Sequence, residues 1–277
     1  MPDLIDLALA EDIGSGDITA QFFTKPGAIA RAKITARQSG CLAGIDLARE
    51  VFHRVDPSLA VEIKMQDGAL FQMHDTVLEV SGHAASILTA ERTALNFLQH
   101  LSGVATLARR FVDEIKGTGA QILDTRKTTP GFRSLEKKAA AAGGLRNHRM
   151  GLHDMFLVKD NHLATGLDPS TLQSMIDRAR AAHPGAKLEI EADSLDQVET
   201  FYTLRGVDFL LLDNMSLDDL RKAARLCPSH IQLEASGGVN LSTVRAIAET
   251  GVHFISVGAI THSAPSVDFG LDFEPLG

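Results

Sequence analysis

Short apolar runs recur through the second half of the chain, and most end in a polar or charged group. They are QILD (121–124), MFLVKD (155–160), KLEIEAD (187–193), VDFLLLDN (207–214), IQLEASG (231–237) and HFISVGA (253–259). Continuous runs of this length, rich in Val, Ile, Leu and Phe, predict strands buried on both faces. Amphipathic stretches with helix start and stop signals lie between most of them. Asp168-Pro169 supplies an N-cap and an N1 proline, and Pro184-Gly185 lies past the end of that helix. Ser194 precedes LDQVETFYTLRG, Ser216 precedes LDDLRKAARLC, and Asn240 precedes LSTVRAIAETG. Strands separated by helices at intervals of roughly 20–30 residues predict parallel pairing through right-handed crossovers. At least six such strands predict a closed or nearly closed α/β barrel. An open doubly wound sheet is the alternative, but no GxGxxG follows an early strand to support its dinucleotide-binding form.

The first hundred residues carry a different pattern. GAIARAKITARQSG, AVEIKM and DTVLEVSG alternate as half-buried strands do, with Gly at the turns, and IDLAREVFHRV has helical spacing. From Ala84 a long helical pattern runs through ILTAERTALNFLQHL and, past Ser102-Gly103, into ATLARRFVDEIKG. The pattern predicts an α+β domain over residues 1–103, followed by the barrel over 104–264.

Composition narrows the class. The 277 residues include 44% hydrophobic ones, enough for a sizeable core, and no apolar run is long enough to span a membrane. The opening MPDLIDLALAEDIG carries acids where a secretory signal needs cations, so a cytoplasmic protein is expected. Cys41 and Cys227 have no CxxC partner and are expected to be free thiols. A net charge of −8 argues against nucleic acid or an anionic membrane as partner.

The charge is unevenly distributed. Residues 124–162 hold eight Lys/Arg against four Asp/Glu, a net of +4, which leaves −12 on the rest of the chain. A local cationic cluster in an acidic protein points to a small anionic ligand. In α/β barrels the active site lies at the C-terminal ends of the strands, and there the chain places Asp124-Thr-Arg-Lys, Lys159-Asp-Asn-His, Glu191, Asp213-Asn and Glu234-Ala-Ser-Gly-Gly. Arg126, His148, Arg149 and Lys159 suit carboxylates or phosphates. Glu191 and Asp213 suit sugar hydroxyls, a metal or a developing cation. Ser236-Gly237-Gly238 and Gly258-Ala259 follow the last two strands, where small residues let backbone N–H groups approach a phosphate. His148, His153 and His162 fit no common zinc spacing. A strand-end lysine such as Lys159 also permits a Schiff base, as in barrel aldolases.

Several longer motifs carry a resemblance. DTRKTTPG, EKKAAAAGG followed by RNHRMGL, KDNH, the early EDIGSGD, ERTALNFLQHLSG, LLDNMS, LEASGG and ISVGAITHSAP together resemble the nicotinate-nucleotide pyrophosphorylase family, also called quinolinate phosphoribosyltransferase. They follow one another along nearly the whole chain. The resemblance implies synthesis of nicotinate mononucleotide from quinolinate and phosphoribosyl pyrophosphate, with release of pyrophosphate and carbon dioxide and with Mg²⁺ as cofactor. It implies an N-terminal α+β open sandwich and an incomplete, seven-strand-type α/β barrel, with residues 265–277 returning to the sandwich. By the same resemblance, Arg126, His148, Arg149 and Lys159 hold the quinolinate carboxylates, and Lys127 contacts phosphoribosyl pyrophosphate. Glu191 and Asp213 face the ribose near the pyrophosphate-borne Mg²⁺, and Ser236, Gly237, Gly238, Gly258 and Ala259 take the 5′-phosphate. Lys127, Lys159, Glu191 and Asp213 form the catalytic set. Arg92 corresponds to an arginine that completes a partner subunit's site, so a homodimer or a multiple of one is implied.

The departures from the family pattern are Leu145, where a third Gly is common, and the plain Ala140–Ala142. Arg133, Lys137, Lys138 and Arg146 have no assigned role. Two alternatives stand beside this reading: a ModD-type relative associated with molybdate transport, and a catalytically silent barrel that binds a phosphorylated ligand. The intact NHRMGL and KDNH runs weigh against the first, and intact Glu191 and Asp213 against the second.

Overall fold

Alternating burial along Ile29–Ala36 (β1), with Ala30, Ala32, Ile34 and Ala36 inward, makes that segment the centre of an antiparallel sheet. The computed structural model describes residues 3–163 and 168–274. They cluster into two units. The first holds the residues up to Arg109, Lys138–Gly144 and those from Ser263 on; the second holds Arg110–Lys137 and Leu145–His262. The division thus falls inside a helix six residues beyond position 103, and residues 138–144 join the first unit.

The first unit begins with helices α1 (Leu4–Ile13) and α2 (Ile18–Phe23). Asp3 caps α1 by accepting the Ile5 N–H at 3.0 Å, and Asp17 caps α2 by accepting the Ala20 N–H at 2.9 Å. After β1 come β2 (Gly40–Cys41), α3 (Ile45–Val55), β3 (Ala60–Ile63), β4 (Leu70–Phe71), β5 (Thr76–His83) and α4 (Ala84–Glu114). Helix α3 buries Ile45, Ala48, Val51 and Phe52, one helical stripe. Ser102 and Gly103 do not interrupt α4. The Ser102 hydroxyl accepts the Ala43 N–H at 3.1 Å and donates to the Ala43 carbonyl at 3.2 Å. A Cβ on Gly103 would lie 3.0 Å from the Pro265 carbonyl carbon, so glycine is what lets that segment close on the helix.

The second unit contains β6 (Gln121–Leu123), the start of α5 (Arg133–Ala142), β7 (Met155–Val158), α6 (Asp160–Leu163), α7 (Pro169–Ala182), β8 (Lys187–Ala192), α8 (Leu195–Tyr202), β9 (Phe209–Asp213), α9 (Leu217–Leu226), β10 (Gln232–Ser236), α10 (Val244–Ala248), β11 (Phe254–Ser256) and α11 (Ala259–His262). All six expected strands form, as one parallel sheet in the order β6-β11-β10-β9-β8-β7. Where a seven-strand arrangement was expected, the described residues give six strands and one parallel bridge, Leu123 to Arg146. Leu145, the departure from the family pattern, is buried beside that bridge. Asp168 and Ser216 cap α7 and α9 through their side chains, whereas Ser194 begins α8 without a side-chain bond. Asn240 is a correction: its Oδ1 accepts the Ser242 N–H at 3.0 Å in a turn, and α10 starts only at Val244.

The last described strand, β12 (Phe269–Phe273), belongs to the first unit. It pairs antiparallel with β1, from Ala32 opposite Phe273 to Ala36 opposite Phe269, in a sheet of order β12-β1-β5-β3. Phe269 packs on Phe71 of β4 with ring centroids 5.1 Å apart.

Candidate active site

The C-terminal ends of the second unit's strands surround a cleft of about 790 Å³. Parallel strands all deliver their last residue to the same side of the sheet, and six successive strand ends therefore meet there. Arg126, His148, Arg149 and Lys159 line it on the cationic side. The Arg126 Nε is buried with no hydrogen-bond partner. Arg149 donates through Nη1 to the Met155 carbonyl at 3.0 Å. Burial, and then the charge of Arg126, pull the Arg149 guanidinium below its ordinary value, as expected for two cations held together. Lys159 follows β7, and its Nζ lies 2.9 Å from Glu191 Oε2 at the end of β8. The partner of Lys159 is thus a carboxylate, whereas a Schiff-base lysine calls for a cation-crowded amine. His162 accepts the Lys159 N–H at 3.0 Å and fixes the turn that aims the lysine.

Asp213 closes β9 and holds the Asn214 amide at 2.7 Å. Asn214 has φ 53°, and its N–H donates to the Ser236 carbonyl at 2.9 Å. Ser236, Gly237 and Gly238 line the cleft beside it. Gly237 has φ 95°, and any Cβ there would lie 2.8 Å from the Asn214 nitrogen, so two strand ends approach each other only because that side chain is missing. Lys127 is exposed in the cleft, with its carbonyl accepting from the Thr261 hydroxyl at 2.8 Å. Gly258 and Ala259 are not cleft-lining residues. Instead a Cβ on Gly258 would press on the Lys127 Cδ at 3.0 Å, so this glycine leaves room for the lysine stem. Arg92 is exposed on α4 and does not line the cleft either.

Two buried networks escaped the sequence reading. In the first, Asp124 accepts from Lys137 Nζ, from the Asn147 amide at 2.5 Å and from the His148 N–H at 2.8 Å, while Lys137 also reaches the His148 carbonyl at 2.9 Å. Lys137 thus gains a role. Arg133 and Arg146 gain structural ones, on the Met150 carbonyl at 3.1 Å and over the Phe254 ring at 5.5 Å. In the second, His148 Nε2 stands 3.3 Å from Glu189 Oε2 and 3.5 Å from Glu234 Oε2, and Ser256 donates to Glu234. His148 Nδ1 accepts the Arg149 N–H at 2.6 Å. Both ring nitrogens are therefore engaged within the protein, so His148 reaches a ligand less directly than the arginines do.

The ligand atoms of His148, Glu189 and Glu234 lie within 4.8 Å of one another, close enough to hold a metal ion. The Arg149 N–H argues for a proton instead. It makes Nδ1 an acceptor, which puts the ring proton on Nε2, the very atom that a cation would need. Burial lowers the proton affinity at His148, but Glu189 and Glu234 outweigh it and raise the affinity of the group as a whole. Burial and the neighbouring Glu234 push the Glu189 carboxyl well above the usual carboxylate range. With Nδ1 already occupied, the additional proton of this coupled group belongs on a carboxyl.

Known proteins match the chain along its length. The family profile described as the quinolinate phosphoribosyl transferase N-terminal domain matches residues 17–102, and the C-terminal domain profile matches residues 104–272. The probable nicotinate-nucleotide pyrophosphorylase (carboxylating) of Bacillus subtilis strain 168 is 38% identical over 97% of this chain and 92% of its own. The Mycobacterium leprae protein named nicotinate-nucleotide pyrophosphorylase (carboxylating) is 39% identical over 98% of this chain and 96% of its own. Among solved structures, the nicotinate-nucleotide pyrophosphorylase of Francisella tularensis superimposes with a TM-score of 0.93 at 36% identity, covering 98% of this chain and 95% of that one. With both domain profiles in order and a cationic cleft at the barrel's strand ends, the chain belongs to the quinolinate phosphoribosyltransferase family.

Proposed function

We propose that the chain is a carboxylating nicotinate-nucleotide pyrophosphorylase. It joins quinolinate to phosphoribosyl pyrophosphate and yields nicotinate mononucleotide, pyrophosphate and carbon dioxide in NAD biosynthesis. The observation that carries this reading is the meeting of Arg126, Arg149 and Lys159 with Glu191, Asp213 and the Ser236–Gly238 turn in one cleft. Cations on one side suit the two carboxylates of the pyridine, and carboxylates on the other suit the ribose.

The residues divide the work. Arg126, whose buried Nε has a free hydrogen-bonding position, and Arg149 grip the carboxylates and hold the ring nitrogen in line with the ribose C1, mainly an orientation effect. Lys159 adds charge while Glu191 fixes its direction. Glu191 and Asp213 stabilise the positive charge that grows on C1 as pyrophosphate departs, because they are in place before the charge develops. Lys127 reaches from the exposed rim toward the leaving group. The Ser236–Gly238 turn offers backbone N–H groups to the 5′-phosphate, and its two glycines take φ 95° and 58° to shape it. N-ribosylation makes the ring a pyridinium, which accepts the electron pair left when the C2 carboxylate leaves.

Glu191 and Asp213 already hold Lys159 and Asn214, and no described cage of oxygens is set aside for a cation near them. That donor set fits Mg²⁺ carried by the pyrophosphate oxygens, with Glu191 and Asp213 nearby. When bound, Mg²⁺ would neutralise charge on the leaving group. A homodimer, in which the partner's Arg92 completes the site, fits the exposure of Arg92 on α4. No described helix is long and apolar enough to cross a membrane. Neither Cys41 nor Cys227 is in a disulfide, which fits a reducing, cytoplasmic setting.

One assay tests the proposal. The protein is mixed with quinolinate, phosphoribosyl pyrophosphate and Mg²⁺, and nicotinate mononucleotide is sought by chromatography. Stoichiometric release of product and carbon dioxide is expected. A folded protein that makes neither overturns the reading.

A further inference from the structure

The second buried network is poorly explained as packing. Glu189 lies in the middle of β8 with no exposed surface, and neither of its oxygens has a well-formed hydrogen bond, its nearest donor being His148 Nε2 at 3.3 Å. Glu234 stands beside it on β10, and His148 is their common neighbour. Isolated buried carboxylates are costly unless paired, and two side by side are worse. Glu234 and His148 line a cleft whose proposed ligand is itself a dianion, and buried Glu189 touches that His148. Charge would therefore accumulate at this point on binding, against the purpose of the surrounding arginines.

The other charged groups around the cluster cannot absorb that change. Arg149 is electrostatically coupled to both Glu189 and Arg126, and these two guanidiniums already serve the ligand. Asp124, which accepts from the His148 main chain, is matched by Lys137. Lys159 is matched by Glu191, and Asp213 bonds Asn214. Neighbouring β11 contributes the Ser256 hydroxyl and no charge. What remains free to change is the number of protons on Glu189, Glu234 and His148.

We propose that His148, Glu189 and Glu234 form a proton-binding site coupled to substrate binding: entry of the pyridine dicarboxylate draws about one proton from solvent onto the cluster. The inference rests on the reading of the cleft as the quinolinate pocket and deepens it. The proton adds to a carboxylate oxygen, no other bond changes, and buffer supplies it. Binding the dianion then raises the local negative charge by one unit rather than two. Burial and Glu234 already hold the Glu189 carboxyl well above the usual carboxylate range, and a nearby dianion moves it further up and so favours uptake. Proton uptake on binding makes affinity fall as pH rises, by at most about tenfold per pH unit for one proton.

Calorimetric titration of the full-length protein with quinolinate at pH 8, in two buffers of different ionisation enthalpy, counts the protons directly. Quinolinate is itself fully ionised there, so the protons counted are the protein's. Uptake of roughly 0.5–1 proton per quinolinate is expected, with uptake near zero in Glu189→Gln and a flatter pH dependence of Kd. The wild-type count decides the matter even if that variant fails to fold, and Glu234→Gln gives a second reading. Binding without proton exchange in the wild type overturns the inference while leaving the functional reading intact, and so does unchanged uptake in a folded Glu189→Gln. Wild-type protein that neither binds nor turns over quinolinate overturns both. Stoichiometric Mn²⁺ retained by ligand-free protein and lost in Glu189→Gln would make the cluster a metal site and also overturn the inference.

Discussion

The main chain of His148 is held at both ends by one buried ion pair: its N–H donates to Asp124 Oδ1 at 2.8 Å and its carbonyl accepts from Lys137 Nζ at 2.9 Å. The pair thereby fixes the two residues, His148 and Arg149, that enter the cleft next. Removing one member of a buried pair leaves the other charge uncompensated, at a cost of about 3–5 kcal/mol. Asp124→Asn is therefore expected to lower Tm by roughly 6–20 °C, since about 2–4 °C accompany each kcal/mol at this size. Adding Lys137→Met should recover part of the loss. Thermal denaturation of the single and double variants checks both statements.

On the proposed reading, Arg149→Ala removes a guanidinium that grips a substrate carboxylate. A loss of about 2–5 kcal/mol in transition-state binding is expected, because the carboxylate is left without its partner. Steady-state kinetics should show this in kcat/KM for quinolinate, at least 30-fold below wild type. Wild-type kcat/KM for quinolinate in this variant would falsify the assignment.

Gly237→Ala would set a Cβ against Asn214 at a residue whose φ is 95°. The strain is on the order of 1–3 kcal/mol and must move the turn that faces the phosphate. KM for phosphoribosyl pyrophosphate should rise several-fold, with a smaller change in KM for quinolinate. Equal changes in both would show that the turn does not serve the phosphate alone.

Asp208 joins the start of β8 to α7: it accepts the Leu188 N–H at 2.8 Å and Lys187 Nζ at 2.9 Å, and it pairs with Arg180. Burial alone would raise its pKa, but these donors outweigh it and lower it. A carboxyl depressed in the folded state contributes stability that is present above its unfolded pKa, about 4, and lost as pH falls through the folded value. Asp208→Asn should accordingly be less stable than wild type at pH 7. The Tm gap between the two should narrow as pH drops below about 4.

The strands of the second unit were legible because burial on both faces makes a parallel strand a continuous apolar run, as in FLLLD of β9. Their ends were legible because charge following such a run is conspicuous, and this found Arg126, Lys159, Glu191 and Asp213. Glu189 escaped for the opposite reason: it sits inside its strand, where an isolated acid looks incidental, and Glu234, though noted at its strand end, has no sequence signal that pairs it with His148. A signal was available, since side chains alternate along a strand and Glu189 therefore shares a face with Glu191. Helix α5 is hard to see in the sequence because its buried face carries the charged Glu136 and Lys137 beside Ala139 and Ala140, which breaks the apolar period. Asn240 misled because an Asx turn and a helix N-cap use the same side-chain hydrogen bond.

The pairing of β12 with β1 bears on how the protein is made. A ribosome delivers Ile29–Ala36 more than two hundred residues before Phe269–Phe273, the strand that covers its edge. Throughout that interval the nascent chain carries an open sheet edge, able to pair with any extended segment nearby. The intervening barrel residues fold while that edge waits. Slowed elongation or loss of the final strand should therefore show itself first as aggregation of the newly made chain, before any defect in the chemistry of the cleft.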